Sequence, residues 1–259
     1  TSAVLCTLTY NATLPDSNYI VELTNTQFIR FRNLTFVAQH PTYGRIFLLY
    51  QGVNDLELSG NTLHGVLASG AEANRAIFYT YNQWPDSVRI YDNEFYRGGY
   101  AIQLYGRSDN AIYGARIYNN TFTDGGYRSI SLGYAVAPQV YNNTVTNGSD
   151  GIYLYNTIAN TQIYNNRLKV RHNGMELQVE GYSTAHAQIF NNFVTSSGPG
   201  GIIMSHNSFY YDVCYNSVNM IPVNPGATNP IATSTALRIE DGYYIFIRNN
   251  NLANQAGGY

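Results

Sequence analysis

Charge is scarce in this sequence. Charged residues make up 12% of the 259 residues, about half of the usual share, and Lys169 is the single lysine. The net charge is −2 and no basic stripe is present, which argues against a nucleic-acid partner. No run of about 18 apolar residues occurs, so the sequence predicts no membrane span. The polar surface must therefore come from uncharged side chains, including those of 25 tyrosines.

Cysteine is also scarce. Cys6 and Cys214 are the only two, and two cysteines do not by themselves define a redox compartment. A surface with so little charge changes little with pH, which suits an extracellular or cell-surface location. The chain begins without methionine, as a processed protein or a fragment does. Five Asn-x-Ser/Thr sequons favour a secreted glycoprotein, with N-glycosylation predicted at Asn11, Asn33, Asn119, Asn142 and Asn147.

What the sequence does contain is a six-residue phrase that recurs along nearly its whole length. Three copies read IYNNTF (117–122), VYNNTV (140–145) and IYNNRL (163–168), and copies follow one another at intervals of 23 to 34 residues. Each copy is followed by a polar turn and a second short segment in which apolar residues alternate. A unit of about 23 residues with two or three short strands is one turn of a parallel β-helix. The sequence therefore predicts an all-β solenoid of about nine or ten coils.

Stacking of like on like explains the residues of the phrase. Its first residue, Ile163 in the third copy, is expected to point inward and build an aliphatic column. Its second asparagine, Asn166, is expected at a bend, where asparagine tolerates left-handed dihedral angles, with its amide bonded to the next coil. The second residue of the phrase is expected to point outward. These residues should form an aromatic ladder, which consists of Tyr91, Tyr118, Tyr141, Tyr164 and Phe190. Its role is ring stacking, self-association or glycan contact.

Residues 1–20 stand apart from the repeat. Alternation from Val4 to Tyr10 predicts a strand, which is either the first rung of the solenoid or an arm that pairs with a neighbouring subunit. Residues 21–259 are predicted to form a single β-helix domain. The longer intervals between copies predict insertions at 68–84 and 219–234, and insertions in solenoids become loops.

The segment NGSDGIYL (147–154), followed by TQIYNN (161–166), resembles the repeats of right-handed parallel β-helix proteins. That superfamily includes pectate lyases, alginate lyases, mannuronan epimerases and NosD-like periplasmic proteins. The resemblance covers roughly residues 25–255 and implies a right-handed fold, while activities on this scaffold vary. For a lyase or epimerase it implies an outward groove where Lys or Arg takes a proton beside a uronate carboxylate. The candidate residues are then Lys169, Arg171, Glu176, His206 and Arg238.

This candidate cluster makes a poor catalytic site. Glu176 and Glu240 are expected roughly 12 Å apart by coil and strand spacings, whereas paired carboxylates in glycosidases lie about 5–9.5 Å apart. No outward column stacks Asp on Asp to hold Ca²⁺, and the Asp-Pro-His motif of the epimerases is absent. The histidines lack zinc-ligand spacing, so no metal and no cofactor are predicted. Trp84 is either a sugar platform or a lid on its own core.

The two cysteines bear on self-association. Cys214 falls in the outward aromatic column and Cys6 precedes the first coil, so they should lie roughly 35 Å apart along the axis. A disulfide needs Cα atoms within about 7 Å, which excludes an intrachain bridge if residues 1–20 stay at their own end. Either both thiols are unpaired, or Cys6 of one subunit bridges to Cys214 of the next in a head-to-tail filament.

Two functions of different classes remain. The first, preferred here, is an extracellular structural protein that associates head to tail with copies of itself into a fibre or surface layer, because an uncapped solenoid exposes strand edges. The second is a polysaccharide lyase or epimerase that acts on acidic glycans. A third hypothesis, glycan binding without catalysis, uses the tyrosine faces.

Overall fold

The fold is known from a computed structural model that describes residues 6–80, 83–205, 207–222 and 234–256. Within these ranges the chain forms thirty strands and two short 3-10 helices, Pro15–Ser17 and Ala73–Arg75, and no α-helix. In chain order the strands are β1 (Cys6–Tyr10), β2 (Val21–Leu23), β3 (Arg30–Arg32), β4 (Leu34–Ala38), β5 (Phe47–Leu49), β6 (Glu57–Ser59), β7 (Thr62–His64), β8 (Phe78–Thr80), β9 (Arg89–Tyr91), β10 (Glu94–Tyr96), β11 (Tyr100–Tyr105), β12 (Ile112–Tyr113), β13 (Arg116–Tyr118), β14 (Thr121–Thr123), β15 (Arg128–Gly133), β16 (Ala135–Val136), β17 (Gln139–Tyr141), β18 (Thr144–Gly148), β19 (Asp150–Ile158), β20 (Gln162–Tyr164), β21 (Arg167–Val170), β22 (Met175–Glu180), β23 (Ala187–Phe190), β24 (Phe193–Ser196), β25 (Gly200–Met204), β26 (Ser208–Cys214), β27 (Ser217–Met220), β28 (Thr235–Ile239), β29 (Gly242–Arg248) and β30 (Asn251–Asn254).

These strands wind into a parallel β-helix with three faces. Face 1 consists of β2, β5, β8, β11, β15, β19, β22, β25 and β28, and face 2 of β3, β6, β9, β13, β17, β20, β23, β26 and β29. Face 3 is a ten-stranded sheet in the order β1-β4-β7-β10-β14-β18-β21-β24-β27-β30. Coil 1 is β2, β3 and β4, and coil 9 is β28, β29 and β30. The predicted parallel β-helix of about nine or ten coils is confirmed.

The opening strand β1 lies on face 3 as the first rung. It pairs in parallel with β4 of the same chain, from Cys6 opposite Leu34 to Tyr10 opposite Ala38. The structure therefore has the first-rung arrangement rather than an arm that leaves the body. Val4 and Leu5, where the predicted strand begins, lie outside the described residues, and the domain boundary after residue 20 stays a prediction.

The interior consists of apolar columns that run along the axis. The first residue of the phrase is inaccessible to solvent in coils 3 to 8, as predicted, at Ile90, Ile117, Val140, Ile163, Ile189 and Val213. Each column is in register from coil to coil, for example Ile163 with Ile189 and Ile189 with Val213. Burial of apolar surface stabilises at roughly 25 cal/mol per Å², and here every coil buries the one before it.

A buried asparagine ladder holds the corner between faces 2 and 3. From Asn61 to Asn250, each side-chain Nδ2 donates to the Oδ1 of the next asparagine at 2.9–3.1 Å. The coil-to-coil amide bonds are thus confirmed. The predicted backbone conformation is wrong by one residue: the left-handed residue is the first asparagine of the phrase, such as Asn165 (φ 56°). The chain turns there, which leaves the second side chain, Asn166, inside the turn.

Candidate functional site

The residues proposed for an enzyme do not converge. Lys169 is exposed on face 3, in register with Thr146 and Thr195, whereas Glu176 lies on face 1 beyond the next corner. Arg171 lies between them at that corner and donates from Nη2 to the carbonyl of Gly125 at 3.1 Å. His206 lies outside the described residues. Lys169 and Glu176 are close in sequence, but the corner after β21 turns them onto different faces.

Glu176 and Arg238 do share a column on face 1, but not a site. Ile203 lies between them in register and is only 2% exposed, so two strand spacings, ~9.6 Å, separate the two charged residues. Arg238 is paired instead with Glu240, with Nε 2.9 Å from Oε1. No base and carboxylate among the described members of the predicted set are placed to act on one sugar carbon.

A different cluster lies on face 1 in coils 5 and 6. The guanidinium carbon of Arg128 is 3.2 Å from the ring centroid of Tyr153 and 4.7 Å from that of Tyr127. A cation held over aromatic faces in this way is attracted by the ring quadrupoles. Asp150 approaches Arg128 at 4.0 Å. We call these residues, with His172, the arginine cluster.

Asp150 is the anchor of the arginine cluster. It is 6% exposed, accepts a hydrogen bond from the backbone amide of Asn173 at 2.9 Å, and lies 2.6 Å from Nδ1 of the more exposed His172. A buried carboxylate needs such partners because an unpaired buried charge is costly. His172 and Arg171 both line a cavity of about 560 Å³. The arrangement can bind a ligand by charge and hydrogen bonds.

Proton abstraction is a poorer fit to this cluster. Burial raises the pKa of the Tyr153 phenol, an effect that the charge of Arg128 opposes. Burial also raises the pKa of Tyr105 and of Tyr100 on the same face. These phenols remain protonated at neutral pH, so they donate hydrogen bonds and do not act as bases. The chemistry available is recognition of a ligand that carries acceptor oxygens.

The arginine cluster was missed although its signal is in the sequence. Tyr100, Arg128 and Asp150 each precede the inward isoleucine of a face 1 strand by two residues, and the structure places the three in register. Aligning that position across coils predicts the column. The residues predicted for an enzyme lie in later coils, where Lys169 stands out as the single lysine.

The aromatic ladder on face 2 is present as predicted. Successive ring centroids from Tyr91 to Phe190 are 4.8–4.9 Å apart, with interplanar angles of 1–6°. Because the rings lie face to face, the faces of Tyr118, Tyr141 and Tyr164 are covered by their neighbours. The hypothesis that glycans contact the tyrosine faces is therefore wrong for these three rings, which present only edges and hydroxyl groups. A role in self-association stays a prediction.

The positions of the two cysteines exclude the predicted disulfide between Cys6 of one subunit and Cys214 of the next. Cys6 is exposed, but Cys214 is buried, because its short side chain lies between Phe190 and Arg248 in the column. Coil 9 also separates Cys214 from the end of the solenoid. A subunit stacked on that end places Cys6 at least two strand spacings away, ~9.6 Å, beyond the reach of a disulfide.

The last rung of the solenoid exposes residues that belong to core columns. Ile239, Ile247 and Leu252 of coil 9 are 38%, 44% and 43% exposed. The residues before them in the same columns, one of which is Val213, are at most 2% exposed. Tyr243, Tyr244 and Phe246 add exposed aromatic surface in β29. We call β28, β29 and β30 the C-terminal rung.

Several other predicted features have defined positions. The sequon asparagines Asn11, Asn33, Asn119, Asn142 and Asn147 are all exposed. Trp84 is half-buried, with the guanidinium of Arg107 5.9 Å from its ring centroid. Among the described residues, no group of three or more His, Cys, Asp or Glu side chains is placed to hold a metal ion. No helix in the described ranges has the length and apolar character that a membrane crossing requires.

Comparison with known proteins agrees with the fold. Residues 45–218 match the family model described as the right handed beta helix region. No curated protein and no solved structure matches the chain.

Proposed function

The chain belongs to the right-handed β-helix family, and from this premise we propose that it is an extracellular structural member, a subunit that associates head to tail with copies of itself. The single observation that carries the proposal is the C-terminal rung, where core columns end in exposed side chains. Exposed apolar patches on a soluble protein mark interaction sites, and unpaired strand edges invite another strand.

The first rung offers a matching edge for the C-terminal rung. On face 3, β1 and β30 occupy the two ends of one ten-stranded sheet. Following the register from coil to coil places Leu8 in the inward column of Leu252, and Thr7 in the outward column of Asn251. A second copy stacked in the same register therefore sets apolar on apolar inside and polar on polar outside. No disulfide between the native cysteines is part of this proposal.

The extracellular location and the glycosylation are parts of the same proposal. All five sequon asparagines are exposed, so each is accessible to modification. Asn119 and Asn142 lie in adjacent coils, and with strands ~4.8 Å apart glycans on both would crowd each other. We expect partial occupancy at this pair, which glycopeptide mass spectrometry of the native protein measures.

Light scattering after gel filtration tests the association. The wild-type chain, 28.9 kDa as a monomer, should give masses that rise with concentration, and negative-stain microscopy should show rods. Ile247→Lys places a charge in the proposed junction and should reduce the mass to that of the monomer. Leu67→Lys is the matched control, because Leu67 is 71% exposed and lies in the loop after β7, away from coil 9.

Two results would overturn the proposal. A wild-type mass of one subunit at every concentration removes the association. An unchanged mass for Ile247→Lys, or an equal loss for Leu67→Lys, removes the C-terminal rung as its site.

Glycan binding at the arginine cluster is the second candidate function. The observation that favours it is Arg128, held over Tyr127 and Tyr153 beside the Asp150–His172 pair. A guanidinium with neighbouring phenol donors suits the carboxylate of an acidic glycan, and lyase or epimerase activity is the enzymatic form of this candidate. Calorimetry with uronate oligomers tests binding, and ultraviolet absorbance of unsaturated product tests lyase action. Loss of binding in Arg128→Gln supports the site, and unchanged binding excludes it.

A further inference from the structure

A cavity of about 300 Å³ lies at the corner between faces 1 and 2, away from the C-terminal rung and the arginine cluster. Its size is at the lower end of the ~300–1,000 Å³ that ligand pockets span. Residues from coils 4, 5, 6 and 7 and from the turn before β26 line it, so it crosses the direction of the strands. The lining residues used below are Arg107, Tyr134, Asn156, Gln178 and Glu180.

Two loops of the same construction flank this corner. Arg107–Asn110 follows β11 in coil 4, and Tyr182–Ala185 follows β22 in coil 7. In each loop the first and last residues exchange two backbone hydrogen bonds, at 3.0 and 3.1 Å in the first and 3.0 and 2.9 Å in the second. Each loop is preceded by a glycine, Gly106 or Gly181, where a Cβ would press against a backbone carbonyl oxygen.

Coils 5 and 6 pass the corner between the two loops without an insertion of this kind. Three coil steps separate the loops, about 14 Å by the strand spacing, so the two middle coils form the floor of a trough. In coil 6 the register of β19 against β22 shifts between Leu154 and Thr157. Asn156 lies in that bulge with φ 48°, and Tyr134 occupies the corner of coil 5 with φ 51°. Bulges of this kind re-aim side chains.

The lining of the trough combines aliphatic residues, Ala111, Ile158 and Val179, with polar side chains, and it has almost no free charge. Arg107 is engaged by Asp109 through two hydrogen bonds of 2.9 and 3.0 Å. Glu180 is the only acidic residue among the described residues of the lining. Among the described residues, the side-chain amides of half-buried Asn156 and Gln178 make no hydrogen bond. Such amides offer both donors and acceptors, which is what a hydroxyl-rich, uncharged ligand requires.

We propose that this corner trough binds a neutral sugar unit, with Asn156 and Gln178 as hydrogen-bonding residues and Tyr134 as a flanking ring. A sugar hydroxyl both donates and accepts, so one amide can bond to two neighbouring hydroxyl groups. An acidic sugar is a poor fit, because Glu180 repels a carboxylate and Arg107 is already paired. The trough thus differs in ligand class from the arginine cluster, where Arg128 favours acidic glycans.

Isothermal titration calorimetry of the full chain tests this site with three neutral trisaccharides, maltotriose, cellotriose and mannotriose, and with the acidic trigalacturonate. At least one of these neutral trisaccharides should bind saturably, and Gln178→Leu should weaken that binding roughly tenfold or more. Asn156→Gly should do the same, because glycine removes the amide and still accepts the positive φ. Gln188→Leu is the matched control, since Gln188 is a half-buried glutamine in β23 on face 2.

The remaining outcomes overturn the proposal. These are no binding of any neutral trisaccharide, binding that both trough variants leave unchanged, equal loss in Gln188→Leu, or binding of trigalacturonate alone. Circular dichroism melting curves show whether the variants fold like the wild type. The result is independent of self-association, because Ile247→Lys keeps the trough and should bind the same trisaccharide as the wild type.

Discussion

The middle of the solenoid and its C-terminal rung contain the same columns with opposite exposure. Ile163 in coil 6 is fully buried, and Ile247, in the same column three coils later, is 44% exposed. Leu168 and Leu252 show the same contrast on face 3, at 2% and 43%. The residue types are alike, so the difference comes from the presence or absence of a following coil. In this fold a side chain is buried by its neighbouring rung, and none of the described residues forms a rung after coil 9.

The largest effect on stability is expected from a substitution inside an apolar column. Ile163→Ala removes buried methyl groups and leaves a cavity, which should lower the free energy of unfolding by ~2–5 kcal/mol. Ile247→Ala should lower the free energy of unfolding of the dilute monomer much less, because the side chain of Ile247 is already partly exposed to water. Urea unfolding followed by circular dichroism, at a concentration where the chain is monomeric, compares the two. Equal losses would contradict the contrast between the middle and the last rung.

The asparagine ladder gives the next comparison. In coil 6, Asn166 donates to Asn192 and to the carbonyl of Val140, and its Oδ1 accepts from Asn143. Asn166→Ala leaves these buried groups unsatisfied, which should cost ~1–3 kcal/mol. Asn250→Ala only shortens the ladder by its last member, so it should lower the free energy of unfolding less than Asn166→Ala does. The same urea titrations measure both, and a larger loss for Asn250→Ala would argue against the ladder as a buried network.

The aromatic ladder on the outer surface of face 2 gives a third comparison, between its end and its middle. Phe190 has one stacked neighbour, Tyr164, at 4.9 Å. Phe190→Leu should therefore lose one ring pair, about 1 kcal/mol, together with part of the near-ultraviolet circular dichroism of the stacked tyrosines. A mass by light scattering that falls along with this change would assign the ladder to self-association. An unchanged mass would leave it a stabilising feature only.

The smallest effect concerns coils 1 to 3, where Asp55 bridges Arg30 and Arg89. The hydrogen bond from Arg30 lowers the pKa of Asp55 below its usual value. A carboxyl with a lowered folded-state pKa stabilises the fold above its unfolded value, about 3.9, and that contribution is lost as pH falls through the folded-state pKa. Asp55→Asn should thus lower the melting temperature slightly at pH 6 and by less at pH 2. An equal decrease at both pH values would contradict this.

Most of the scaffold could be predicted because each coil repeats the same physical requirement. The inward apolar residues, the ladder asparagines and the stacked aromatic residues each recur at a fixed position of the phrase, so successive coils supply the same evidence several times. Features that occur once were not predictable in this way. Burial of Cys214 depends on its two larger neighbours in the column, and the bulge at Asn156 appears only as a register shift between β19 and β22.

The candidate sites were less predictable than the repeated columns and more predictable than the features that occur once. Arg128 and Asp150 of the arginine cluster occupy, with Tyr100, the same position of three successive coils, so an alignment of the face 1 strands predicts that they are neighbours. The residues chosen instead, Lys169, Arg171 and Glu176, are close in sequence but are separated by the corner after β21. Proximity along the chain is a poor guide in a solenoid, where functional neighbours are about one coil apart.

The most direct test of the head-to-tail proposal is a designed crosslink between β1 and β30. Thr7 and Asn251 occupy the same outward column at opposite ends of face 3, so stacked copies should place them one strand spacing apart, ~4.8 Å, within reach of a disulfide. The designed variant carries Thr7→Cys and Asn251→Cys. Its native cysteines are replaced by Cys6→Ser and Cys214→Ala. Under oxidising conditions we predict a series of multimers on a gel that a reductant collapses, and no crosslink in either single variant. A double variant that stays monomeric, or a dimer formed by Asn251→Cys alone, would contradict head-to-tail association.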